Sequence, residues 1–132
     1  YATETSKSNK NFVRDLATVA KKSGLIIHNE DKMEMAHSFS SHGMEVADDF
    51  DLHMIQVCNP AKAAKSLSAN PERAILMPKF IMTFTKNNKT QIRFLRFSED
   101  NIRSVVDDDI FPESLAGTYK KIVEIIEEAK SC

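Results

Sequence analysis

The sequence predicts an α+β fold, a two-layer domain with a mixed β-sheet and helices packed on one face. Three observations carry that expectation. Residues 51–58 alternate like a strand and break at Asn59-Pro60 into a short helical pattern, which a second Asn-Pro, Asn70-Pro71, ends before another apolar run. Two further runs flank Asn87-Asn88-Lys89, whose residue types suit the turn of a hairpin. Apolar residues at helical spacing mark both ends of the chain. Strands joined by a tight turn are antiparallel, whereas a strand–helix–strand unit suggests a parallel crossover, hence the mixed sheet.

Taken in order, residues 1–7 are polar and read as a frayed terminus, leaving 8–132 as a single α+β domain. Ser8 is placed to cap a helix over residues 9–23, with Phe12, Leu16, Val19 and Ala20 on its apolar face and Gly24 as its stop. Leu25, Ile26 and Ile27 form a short β-rich run. In residues 30–50, Met33, Met35, His37 and Phe39 alternate as on a strand, although the composition also permits a short helix. Gly43 and Ala47-Asp48-Asp49 mark a loop.

In residues 51–58, Leu52, Met54, Gln56 and Cys58 share one face and His53, Ile55 and Val57 the other. Asn59 can cap a helix over 61–69, with Pro60 in its first turn, where a missing amide costs nothing. Residues 74–85 are strand-like, with Pro78 making the first part an irregular lead-in. Residues 91–97 return as the hairpin partner, and the pattern slip at Phe94-Leu95 suggests a bulge or burial on both faces. Ser98 can cap a short helix. Pro112-Glu113 opens a last one, striped by Leu115, Tyr119, Ile122, Val123 and Ile126.

Composition excludes several classes. Of the 132 residues, 28% are charged and 42% hydrophobic, and the formal net charge is -1 with scattered basic residues, so nothing resembles a nucleic-acid footprint. No apolar run is long enough to span a bilayer as a helix. The first residue is Tyr1 rather than Met. Signal-peptide removal, with an extracytoplasmic (periplasmic) location, is one reading, and trimming of the chain is the other.

The run Cys58-Asn59-Pro60, Ala61, Ala63-Ala64, Leu67, Asn70-Pro71 and Leu76-Met77-Pro78 is similar to the core of the bacterial and archaeal family catalogued as domain of unknown function 302. The likeness covers roughly residues 8–105. It implies a small α+β domain that forms homodimers, and it implies no activity. Many members carry cysteine straight after the second proline. Here Lys79 stands there, which removes a partner thiol for Cys58.

The chemistry-bearing residues cluster before that signature. His28, His37, His42 and His53 all lie between positions 28 and 54, together with Met33, Met35, Met44 and Met54. Imidazole and thioether suit copper and similar metals, and both serve as axial haem ligands. His53, His37, His42, Met33 and Met35 are the candidate metal ligands. For non-covalent haem the candidates are His53, His37 and His28, with an apolar slot from Phe80, Met82, Phe84, Ile92 and Phe94. No Cys-x-x-Cys-His is present for covalent attachment. Methionines that fill a core and histidines in loops are the plain alternative. Cys58, just before a helix start, is a weak catalytic candidate whose thiolate the helix would favour, against a small buried core cysteine. The acidic runs Asp48-Asp49 and Asp107-Asp108-Asp109 read as solvated loops. The expected function is therefore ligand binding without catalysis, of haem or a soft metal. The alternatives are a thiol-based redox enzyme using Cys58, or a protein-interaction module.

Overall fold

The chain forms five strands and five α-helices, and the computed structural model describes residues 1–132 throughout. The strands are β1 (Ala2–Thr5), β2 (Ile26–Ile27), β3 (His53–Cys58), β4 (Lys79–Lys86) and β5 (Lys89–Phe94). The helices are α1 (Asn9–Lys22), α2 (Met35–Ser41), α3 (Pro60–Ala69), α4 (Glu99–Val105) and α5 (Phe111–Ser131), with a 3-10 turn at Pro71–Leu76. One sheet runs in the order β1-β5-β4-β3-β2. The α+β two-layer expectation holds.

The sheet is antiparallel throughout rather than mixed. β3 ends at Cys58, and β4 begins beside it, with Lys79 paired to Val57. Helix α3 and the 3-10 turn double back on each other at Asn70-Pro71, so the excursion leaves and re-enters at the same end of the sheet. A parallel crossover would have to carry the chain to the opposite end. The connection is long enough for either, so length could not decide.

Residues 1–7 are not frayed. β1 pairs with β5 from Ala2↔Arg93 to Thr5↔Thr90, and the Tyr1 backbone exchanges hydrogen bonds with Phe94 at 2.8 and 2.9 Å. Ala-Thr-Glu-Thr lacks the apolar alternation that announces a strand. It is held instead by the free edge of β5, which offers a row of unpaired backbone groups.

Residues 35–41 form helix α2, the short helix that the composition permitted, and not the strand that the Met33–Phe39 alternation suggested. The Glu34 carboxylate accepts from the Ala36 and His37 amides, both at 2.9 Å, which satisfies orphan donors of the first turn. None of its residues is buried, so the alternation recorded no packed face.

Caps elsewhere follow the sequence. The side chains of Ser8, Asn59 and Ser98 accept from the amides three residues on, at 3.2, 3.1 and 3.2 Å. Gly24 stops α1 at φ +80, and Asn87 and Asn88 take φ 57 and 60 in the β4–β5 turn, both in the left-handed region. β5 ends at Phe94 with Leu95 72% exposed, so the pattern slip there marks the strand's end rather than a bulge or two-sided burial.

One hydrophobic core of 20 residues lies between the sheet and helices α1, α4 and α5. Phe12, Leu16, Ile55, Ile81, Ile92, Ile102 and Ile126 are at most 1% exposed within it. α1 enters the core through a buried polar joint. Thr83 Oγ1 donates to Asn9 Oδ1 at 2.6 Å, and Asn9 Nδ2 donates to the Asp51 carbonyl at 2.5 Å. Asn9→Ala orphans these groups and is expected to cost about 1–3 kcal/mol. Adding Thr83→Val should recover part of that loss, and denaturant midpoints of the four-member cycle measure the coupling.

A second polar joint closes the far end of the core. Asp108 has 6% side-chain exposure, contrary to its reading as part of a solvated run. It accepts from Arg73 Nε at 2.7 Å, Asn70 Nδ2 at 2.8 Å and the Ile110 and Phe111 amides at 2.9 and 2.7 Å. Ile110 has no capping side chain, so Asp108 caps α5 in its place. Arg73, and then Asn70, hold the Asp108 carboxyl far below the usual carboxylate range. A carboxylate depressed in this way contributes stability that is complete above its unfolded pKa and lost as pH falls toward the folded one. Asp108→Asn should therefore lower the melting temperature at neutral pH and flatten its fall in acid, as thermal melts across the acid range would show.

Candidate functional site

The site that the structure presents lies under α3. This helix buries none of its residues, and toward the layer beneath it presents the small Ala63 with Lys62, Ser66 and Leu67. It is moored instead at its ends. Lys62 Nζ donates to Thr118 Oγ1 on α5 at 2.9 Å, and Arg73 Nη1 donates to Ser66 Oγ at 3.1 Å. Between α3, the first turns of α5 and the ends of β3 and β4, a cavity of about 200 Å³ remains. Val57, Leu67, Met77, Phe111, Leu115 and Ile122 give it an apolar body. Asn59, Ser66, Ser114 and Thr118 add polar groups, with His28, Lys62 and Lys79 as the basic ones. None of its 17 lining residues is acidic.

Lys79 is the unusual member. It has the parity of Ile81 and Thr83 along β4, so it stands on the helix side of the sheet, where both of those are buried. Its Nζ donates to the Met77 carbonyl at 3.0 Å. Burial pulls its ammonium below the usual lysine range, Cys58 nearby opposes the drop, and Lys62 adds to it. An ammonium in an apolar recess with no carboxylate beside it is a ready counter-ion for an incoming anion.

Of the residues singled out in the sequence, Met33 and Met35 flank the Glu34–His53 bridge, and the other histidines lie elsewhere. His28 is exposed on the cavity rim. His37 is exposed on α2, and His42 caps that helix with Nδ1 2.8 Å from the Ser38 carbonyl. His53, half-buried, lies near the start of α1, with Nδ1 3.2 Å from the Asp51 carbonyl. Met33 packs against the core, and Met35 opens α2. No three His, Cys, Asp or Glu side chains are grouped so as to hold a metal ion.

The apolar slot is divided by the sheet. Phe80, Met82 and Phe84 alternate onto the uncovered face, whereas Ile92 and Phe94 are buried in the core. The surface groove that contains Phe80 and Met82 is lined by no histidine. Cys58 is half-buried on the cavity wall, and both it and Cys132 are free thiols. Sequence reasoning registered Lys79 only as a departure from the family pattern. Its shared parity with Ile81 and Thr83 was the signal that places it inside.

The family whose pattern matches residues 1–129 is described as domain of unknown function DUF302. No curated protein matches the chain. The fold is similar to a crystal structure of an uncharacterized conserved DUF302 protein from Bacillus stearothermophilus, with a TM-score of 0.79 and 17% identity. That likeness covers 98% of this chain and 96% of the other. No helix is long and apolar enough to cross a membrane.

Proposed function

The chain belongs to the DUF302 family, and within that family of unknown function we propose that it binds a small organic anion without catalysis. The ligand has an apolar body and a carboxylate head, and the cavity beneath α3 is its site. The observation that carries this reading is a partly buried Lys79 in an apolar recess whose lining includes no acid. Size narrows the class. A cavity of about 200 Å³ falls below the roughly 300–1,000 Å³ of sites for drug-sized ligands, yet an apolar cavity of about 150 Å³ holds benzene. A single substituted ring or a short branched acid is the right scale. Lys79 and Lys62, the two lysines of the lining, supply the positive charge that meets the head, and Lys62 also tethers α3 across the opening.

The haem or soft-metal ligand expected from the histidines and methionines has weaker support, because no three His, Cys, Asp or Glu side chains are grouped to hold a metal ion and His37 and His42 are exposed on and after α2. Titration calorimetry with benzoate, benzylamine, haem and copper separates the readings. Benzoate should bind and benzylamine should not. A Soret band on haem addition that His53→Ala abolishes would overturn the carboxylate reading in favour of the haem one.

The homodimer implied by the family resemblance belongs to the same reading. The sheet face away from the helices carries Met54, Phe80, Met82 and Phe84, all half-buried, with Ile26 44% exposed at the edge of the sheet. A second copy of this chain would cover that face. Sedimentation should give a dimer that Met82→Glu dissociates, and a monomeric parent protein would contradict this part.

A further inference from the structure

Three features of Lys79 act together. Its Nζ is held by one backbone carbonyl, at 3.0 Å from Met77, and forms no ion pair with a carboxylate. It stands partly buried at the start of β4, on the helix side of the sheet, so its approach direction is fixed. It opens onto a cavity with an apolar body, which admits a planar group and limits the surrounding water. A second cation, Lys62, lines the same cavity from α3, opposite the sheet. These are the requirements of an amine that adds to a carbonyl: no carboxylate to hold it protonated, a fixed position and a place for the electrophile.

We infer that Lys79 is a covalent attachment site for a small aldehyde or ketone that also bears a carboxylate, held in the cavity between α3 and α5. The inference rests on the reading of that cavity as a small-anion site and adds the reactive class of ligand. The carboxylate meets Lys62, and the carbonyl carbon meets Lys79 Nζ. The nitrogen lone pair forms a C–N bond as the C=O π pair moves to oxygen, which takes up a proton and gives a carbinolamine. The hydroxyl then leaves as water. Both amine hydrogens and the carbonyl oxygen depart in that water, and a C=N bond remains. The step is a reversible condensation and consumes no oxidant or reductant. The lowered proton affinity of Lys79 favours it, because each unit of depression raises the neutral-amine fraction about tenfold.

The test uses 4-carboxybenzaldehyde with cyanoborohydride at neutral pH, followed by peptide mapping by mass spectrometry. One reduced adduct is expected, on Lys79, formed faster than on exposed Lys62 and suppressed by excess benzoate. Lys79→Arg, which keeps the charge, should lose that adduct and leave the slow surface labelling unchanged. Labelling spread over surface lysines with Lys79 unmodified overturns the inference. Calorimetry with benzoate separates the two failures. If benzoate binds while Lys79 stays unlabelled, the covalent inference falls and the anion reading stands. If Lys79 is selectively labelled but benzoate does not bind, the amine inference stands and the carboxylate reading falls. If neither occurs, both fall.

Discussion

Lys79→Met is expected to lower affinity for a small carboxylate by roughly 10- to 150-fold, the equivalent of about 1.5–3 kcal/mol for a hydrogen bond to a charged group. The same variant should be more stable than the parent protein. In the empty cavity the ammonium is partly desolvated with only the Met77 carbonyl to compensate, and methionine fills similar space without that cost. Opposite signs for binding and stability separate a site residue from a structural one, whose loss would reduce both. The pH dependence has a definite sign. Lys79 in the folded protein gives up its proton at lower pH than in the unfolded chain. Between those two values the unfolded chain binds more protons, so stability rises with pH there. The methionine variant should lose that rise. Carboxylate affinity should fall over the same range, as the ammonium becomes neutral. Calorimetry and thermal melts across the alkaline range measure all three effects.

Phe12→Ala is expected to destabilise the fold by about 3–5 kcal/mol, a large share of the roughly 5–15 kcal/mol that holds a domain together. Phe12 is fully buried in the first turns of α1, just after the Asn9–Thr83 joint that anchors the helix to the sheet. Neighbours on α1 and the sheet are also buried, so little can move into the space a phenyl ring leaves. Ile55→Val, which removes one methylene from a fully buried site on β3, should cost only about 0.5–1.5 kcal/mol. Denaturant midpoints give both values. A small cost for Phe12→Ala would mean that the α1–sheet layer is far looser than its burial implies.

Local chemistry was legible in the sequence and placement was not. Ser8, Asn59 and Ser98 cap helices, and Asn87-Asn88 turns a hairpin, because each effect depends on residues within a few positions. β1 escaped notice because the edge of β5, some 90 residues away in the chain, supplies its stability. Over Met33–Phe39 the sequence left strand and short helix both open, and the helix holds, because alternation means a face only where something packs on it. The direction of β4 relative to β3 depended on the reversal between α3 and the 3-10 turn, which no periodicity records. Asp108 looked like one of three solvated acids until Arg73 and Asn70 were seen to converge on it.

The candidate site shows the same limit more sharply. Clustering of histidine and methionine along the chain suggested a ligand set, yet the excursion through α2 carries His37 and His42 out into solvent, apart from His53. What the fold does assemble comes from distant segments: Lys79 at the start of β4, Lys62 on α3, and Ser114, Leu115 and Thr118 on α5. Of the alanines in α3 only Ala63 borders the gap, and only the position of the helix reveals that.

The most direct measurement is a set of intermolecular nuclear Overhauser contacts between bound benzoate and the methyl groups of the protein. The account predicts contacts from the ring protons to Ala63, Leu115 and Ile122, lost in Lys79→Met. Contacts to Met54 and Met82 on the uncovered sheet face instead, or no contacts at millimolar benzoate, would contradict it.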